Sequence, residues 1–276
     1  MGYLLLAIAS SALVSVFMRL STGRVRANRS LLAVNYLFCA VLGAVYADFA
    51  VWTPRVAGFG TALWLGILTG GLYLLGFGLQ QYNIRKNGVV LSSLFIKLGL
   101  LVPILFSLIV FQEIPSWLQV AGFVVAIGAI VVINSQKSDH PFSGGLLLLL
   151  VACGSCDLMS KVYEQFGPPA LSDAFLFYTF AAALVLCLIW VLIKKERPGV
   201  RELFFGALIG IPNFFSAKFL LAALTRLPAV VVFPTFSVAT LLAITLVGVA
   251  VFREKLTGRQ WVALGMILLA LVALNI

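Results

Sequence analysis

The sequence predicts an all-α polytopic membrane protein of ten transmembrane helices, arranged as two inverted five-helix repeats. Three observations carry this. Of the 276 residues, 62% are hydrophobic and only 10% are charged, against about 25% charged in soluble domains. The apolar residues fall into ten runs, each near the roughly 20 residues a helix needs to cross the hydrocarbon core. The two halves of the chain also share residues, in order, at a nearly constant spacing.

The runs lie near 2–19, 30–50, 58–82, 88–111, 116–134, 143–162, 170–193, 200–225, 228–251 and 258–276. The first begins at Met1 with no basic stretch and no clear cleavage site, so it is expected to be a retained helix and not a signal peptide. The third contains TGGLYLLGFG, Thr69–Gly78. Without the Lys-Ser/Thr of a phosphate loop, that stretch reads as close helix packing by small residues. The fourth contains LSSLFIKLGLLVPILF, where Pro103 is expected to free the Gly99 carbonyl and kink the helix. The eighth carries Pro212 and Asn213, the mark of an interrupted segment beside a cavity.

The longest polar connection, NSQKSDHPFSGG, starts at Asn134 near the middle of the chain. Residues 1–134 are therefore read as the first repeat, 135–142 as a linker and 143–276 as the second repeat. At an offset of 141, FQEIPSWLQ from Phe111 aligns with FREKLTGRQ from Phe252, Arg85 with Arg226, and Asn134 with Asn275. With one residue of gap, Arg19 meets Lys161 and Tyr36 meets Tyr178. Five spans per half place the second half upside down, a plan that puts a site near the midplane.

The net charge of +10 is spread in short clusters between apolar runs, which argues topology and excludes nucleic acid as a partner. Fourteen Lys and Arg lie in the odd-to-even connections, and three (Arg55, Lys161 and Arg226) lie on the other side. The positive-inside rule then sets both termini outside the cytoplasm. Cys39, Cys153, Cys156 and Cys187 all fall within apolar runs. The CxxC spacing of Cys153 and Cys156 lacks a second pair or a nearby His, so no metal site is expected. His140 is a lone loop histidine and carboxylates are few. No catalytic grouping and no cofactor are expected.

The helix–Glu–helix junctions EIPSWLQVAGFVVAIGAIVVI from Glu113 and EKLTGRQWVALGMILLALVALNI from Glu254, with the run from Leu220 to Thr257, carry a resemblance to a known family. The chain resembles the drug/metabolite transporter superfamily in its ten-helix EamA-type form. The resemblance implies a secondary transporter, and many members export amino acids, sugars, nucleotide precursors or sugar phosphates. Such members commonly keep both termini in the cytoplasm, the opposite of what the basic loops imply here. The related four-helix multidrug pumps use a membrane glutamate before the basic residue ending the first helix. Counting back from Arg19 and Lys161 reaches Ser11 and Cys153, so expulsion of lipophilic cations by that route is not expected.

Lys97 lies nine residues past Gly88, about 14 Å down its helix and near the middle of a roughly 30 Å core. Ser93 shares its face. Lys218 lies eight residues before Arg226 on the eighth run. An intramembrane lysine is costly and marks a site or a structural cap, and two of them favour a cavity whose counter-charge arrives with the substrate. Asp157 reads as the one carboxylate well inside a span, with Lys161 four residues on. The pair is expected to form a helix-end gate, with Asp157 as coupling-proton carrier or as the partner of Lys218 in the alternatives. Gln81 in QQYN, together with Asn35, Tyr36, Tyr73, Tyr178 and Asn213, can orient a ligand by hydrogen bonding or stacking. Trp64 adds an aromatic contact, whereas Trp52, Trp117 and Trp261 read as interfacial anchors.

The expected function is transport and not catalysis: a secondary transporter, by preference an exporter, in the cell inner membrane. Its substrate would be a small anionic or amphoteric metabolite, moved by alternating access. A facilitator or exporter of neutral solutes such as sugars or aromatic amino acids, with structural lysines, is the alternative. A membrane enzyme or lipid-handling protein ranks below both because the loops are short. The expected partners are a small-molecule substrate and the lipid bilayer, and the sequence is compatible with a monomer or a homodimer.

Overall fold

A computed structural model of the chain describes residues 1–47, 57–87, 92, 95–96, 98–134, 144–251 and 258–275. Among these there are ten α-helices and no strands. They are α1 Gly2–Ser21, α2 Asn28–Tyr46, α3 Phe59–Asn87, α4 Leu101–Val110, α5 Trp117–Asn134, α6 Gly144–Phe166, α7 Ser172–Ile193, α8 Val200–Leu224, α9 Ala229–Ala250 and α10 Gly258–Asn275. A single 3-10 turn, Pro169–Leu171, leads into α7. Seven helices (α1, α2, α3, α6, α7, α8 and α9) are long and apolar enough to cross a membrane. The apolar stretches of α4, α5 and α10 are shorter.

Local chemistry explains where the helices outrun or fall short of the apolar runs. Helix α3 continues through QQYN because the buried Asn83 is satisfied: its amide donates to the carbonyls of Leu79 (2.9 Å) and Gly145 (3.0 Å). Instead of a kink, Pro103 is accompanied by a full break. Gly99 and Leu100 form a turn, α4 starts at Leu101, and Pro103 sits in its first turn, where a missing N–H costs little. The Gly99 carbonyl accepts from the Val102 N–H at 2.9 Å. Helix α8, by contrast, runs through Pro212 without interruption.

The chain divides into two compact units, Met1–Leu74 with Met159–Ala223 and Leu75–Leu158 with Leu224–Ile276. Each draws on both halves of the sequence, and the boundaries fall inside α3, α6 and α8. In the first unit α2 packs along α7. Two glycine pairs at four-residue spacing let helices approach closely. A Cβ at Gly70 would lie 2.5 Å from the Thr179 carbonyl oxygen, and one at Gly66 would lie 2.6 Å from Tyr178 Cβ, so α3 meets α7 backbone to backbone. Gly206 and Gly210 do the same for α8 against Val34 and Asn35 of α2. In the Thr69–Gly78 stretch only Gly70 makes such a contact: Gly71 and Gly78 meet nothing within 4 Å, and Gly76 is in ordinary contact with Cys153 and Cys156.

Helix α2 is preceded by Ala27, which offers no capping side chain. Carboxylates from the α7–α8 connection and from the first turn of α8 take over that role. Glu202 accepts from the N–H groups of Arg26 (3.1 Å) and Ala27 (3.3 Å), and Glu196 accepts from the Ser30 N–H (3.3 Å) while pairing with Arg29. In the second unit α5 packs along α10, and α9 packs on α10, α4 and α5. Helix α9 follows Pro228, another residue without a capping group, and Glu113 accepts from the Ala229 N–H at 2.8 Å. Negative charge at a helix N-terminus complements both the free N–H groups and the helix dipole.

Candidate functional site

The predicted polar residues of the first unit converge on α2, α3, α7 and α8. Asn35 and Asn213 meet: the Asn213 amide donates to Asn35 Oδ1 at 3.2 Å and lies 3.6 Å from Cys39 Sγ. The Cys39 thiol in turn donates to the Gly210 carbonyl at 3.2 Å. Asn213 is 13 residues into α8, about 20 Å along it, so this amide pair lies mid-helix. Beside it, Tyr36 and Tyr73 are stacked with ring centroids 6.5 Å apart, and both touch Phe180, at 6.4 and 6.0 Å.

Lys218 lies six residues before the end of α8, about 9 Å from it. Its ammonium donates to Asp173 Oδ1 at 2.5 Å and sits 4.1 Å from the centroid of Tyr46. Asp173 is in the first turn of α7 and Tyr46 is the last residue of α2, so three helix ends supply one cluster. Tyr46 stacks on Phe214 at 5.7 Å, and Phe214 contacts Phe180 at 6.3 Å. A continuous aromatic column therefore links the amide pair to the ion pair. Both charged side chains keep part of their surface exposed, 25% for Lys218 and 31% for Asp173.

The remaining predicted residues are placed as follows. Lys161 is buried and pairs with Glu164 at 2.7 Å within α6. Tyr178 packs edge-on to Phe59 at 6.0 Å, at the α3–α7 contact. Gln81 on α3 and Asp157 on α6 are half-buried residues of the second unit. Lys97 and Ser93 lie outside the described residues, as does Trp52. Trp64, read as an aromatic contact for a ligand, is largely exposed, as are Trp117 and Trp261.

Sequence reasoning overlooked Asp173, Glu164 and Tyr46. Asp157 was singled out as the embedded carboxylate, yet it is Asp173 that faces Lys218. The available signal was modest: Asp173 stands at the mouth of a 22-residue apolar helix. The separation of 45 residues from Lys218 gives no periodic clue.

A bundle of long apolar helices carrying paired charges defines a polytopic, multi-pass membrane protein. Residues 143–276 match the EamA-like transporter family, part of the drug/metabolite transporter superfamily. The family's members are membrane transporters of small solutes and not enzymes. An uncharacterized protein of Haemophilus influenzae is 23% identical over 282 residues, spanning 96% of this chain and 94% of its own. A protein of known crystal structure aligns with a TM-score of 0.75 at 16% identity, covering 98% of this chain and 94% of its own. At that identity the likeness is one of fold alone.

Proposed function

We propose that the protein is a secondary transporter of a small amphoteric metabolite, exporting it across the cell inner membrane by alternating access. The two sequence repeats are read as inverted, with all ten helices spanning and both termini outside the cytoplasm. The observation that carries the substrate class is the Lys218–Asp173 pair, capped by the Tyr46 ring. An embedded lysine that already has a carboxylate does not present a net positive site. A zwitterion can replace both partners at once, its carboxylate meeting Lys218 and its ammonium meeting Asp173, so neither charge is left bare. A simple anion would strand Asp173.

Asn35 and Asn213 supply hydrogen bonds at mid-depth, and Tyr36 and Tyr73 supply an aromatic wall. The Lys161–Glu164 pair fixes the end of α6, and Asp157 is the residue assigned to coupling. Gln81, Tyr178, Ser93 and Lys97 remain assigned to ligand contact. A second reading, transport of neutral solutes, draws on the same pairing: Lys161 and Lys218 are both neutralised by carboxylates.

The test is ligand-induced thermal stabilisation of the purified protein, wild type against Lys218→Met and Asp173→Asn. Binding to the folded state stabilises it according to ligand concentration over Kd. Amino acids should stabilise the wild type and neither variant. Stabilisation of all three proteins by sugars would establish the neutral-solute reading instead.

A further inference from the structure

We infer that the first unit carries a binding site for an anionic phospholipid, independent of the transported substrate. The headgroup end is a cleft of ≈ 390 Å³ lined by Arg24, Arg26, Gly199, Val200, Arg201 and Glu202. Its single carboxylate is turned inward: Glu202 Oε1 accepts from the Arg26 and Ala27 N–H groups, and Oε2 accepts from the Gly199 N–H at 3.0 Å. The Arg201 guanidinium donates to the Arg24 carbonyl at 3.4 Å, which draws the two chain segments together. All three arginines are exposed, and among the described residues none of them forms a side-chain ion pair. Three guanidiniums facing one committed carboxylate leave a concave site of net positive charge, with planar forks suited to a phosphate.

A second observation fixes the source of that phosphate. Val200, Phe204, Leu208, Ile211, Phe215 and Phe219 succeed one another at spacings of three or four, so they share one face of α8. Its upper part is bare: Val200 is 82% exposed and Phe204 is 61% exposed. From Leu208 onward this face and Ser10, Leu13 and Phe17 of α1 line an open apolar cleft of ≈ 450 Å³. The stretch from Val200 to Ile211 covers about 16 Å, on the order of one leaflet of a roughly 30 Å core. A cationic cleft at the start of α8 thus stands at the head of an exposed apolar helix face that leads to an apolar groove. A soluble phosphate would leave the groove unused, and a neutral lipid would leave the arginines without an anion. Basic pockets at the ends of membrane helices hold anionic headgroups by this combination.

The experiment measures thermal unfolding of the full chain in detergent with phosphatidylglycerol, phosphatidylcholine or glycerol phosphate added. It compares wild type, the triple variant Arg24→Gln/Arg26→Gln/Arg201→Gln, and Lys194→Gln/Lys195→Gln as a charge control. Phosphatidylglycerol should raise the wild-type Tm above the phosphatidylcholine value, and glycerol phosphate should not. That difference should disappear in the arginine triple and persist in the lysine control. A difference that survives in the triple would overturn the site. So would an equal effect of phosphatidylcholine, which would mean apolar solvation alone, or full reproduction by glycerol phosphate, which would mean a soluble-anion site. Native mass spectrometry of the wild type in an equimolar lipid mixture supplies a readout that needs no variant: retained phosphatidylglycerol should exceed phosphatidylcholine, and equal retention would overturn the proposal.

Discussion

Lys218 and Asp173 form an ion pair at 2.5 Å between α8 and the first turn of α7, with the ammonium 4.1 Å from the Tyr46 ring centroid. The pair joins α8 to a helix whose own N-terminal cap is weak, because the residue before α7, Leu171, offers no side-chain acceptor. It is therefore expected to matter to the fold as well as to transport.

Removing one partner leaves the other charge uncompensated. Lys218→Met or Asp173→Asn alone should each lower stability by about 1–3 kcal/mol, the range for a hydrogen bond to a charged group that loses its mate. The double variant should recover most of that loss, because neither charge is then left over. A double-mutant cycle in Tm reads the coupling directly. Additive losses would mean that the two residues do not act as a pair.

The Tyr46 contact predicts a graded series. Tyr46→Phe keeps the ring face over Lys218, whereas Tyr46→Leu removes it, at about 0.5–2 kcal/mol. Thermal unfolding should rank wild type and Phe together and Leu below them. Equal loss in Phe and Leu would move the role to the hydroxyl.

Glu113 is the acceptor for the first N–H of α9. Glu113→Ala should destabilise by about 0.5–2 kcal/mol, the range for loss of a cap, and Glu113→Gln should retain most of the stability because the amide oxygen still accepts. Amide exchange at the start of α9 is the local readout: protection there should fall in the alanine variant and hold in the glutamine one.

Gly70 allows α3 to lie against the α7 backbone. Gly70→Ala places a methyl within 2.7 Å of Ala182 Cβ and 2.5 Å of the Thr179 carbonyl oxygen, so overpacking of about 1–3 kcal/mol is expected. Gly71→Ala, one residue on and facing no neighbour within 4 Å, should be neutral or slightly stabilising in the same assay. Similar effects at the two positions would contradict the packing assignment.

Much of the architecture was readable in the sequence, because a membrane helix declares itself by a long apolar run. Each of the ten helices falls on one such run. Breaks were harder to read: Pro103 and Pro212 look alike in sequence, yet the chain turns at Gly99–Leu100 and passes straight through Pro212. A following proline frees a carbonyl in both cases, and what differs is the local setting, a close Gly99–Gly154 approach in the first.

The candidate site was legible one residue at a time and not as pairs. Asn35, Asn213 and Lys218 stand out as polar residues in oil, but their partners are chosen by helix packing. Asp173 sits at a helix end, where a carboxylate is ordinary, and so drew no notice. The capping roles of Glu113, Glu196 and Glu202 likewise depend on contacts between distant segments.

The central claim is that a zwitterion exchanges with the Lys218–Asp173 pair. The most direct measurement is counterflow in proteoliposomes preloaded with a mixture of unlabelled amino acids, following uptake of the labelled mixture, with labelled sugars and dicarboxylates run in parallel. The account predicts amino-acid counterflow by the wild type that is lost in Lys218→Met, in Asp173→Asn and in the double variant, although the double variant is stably folded. Counterflow of sugars or dicarboxylates that the double variant retains in full would contradict it.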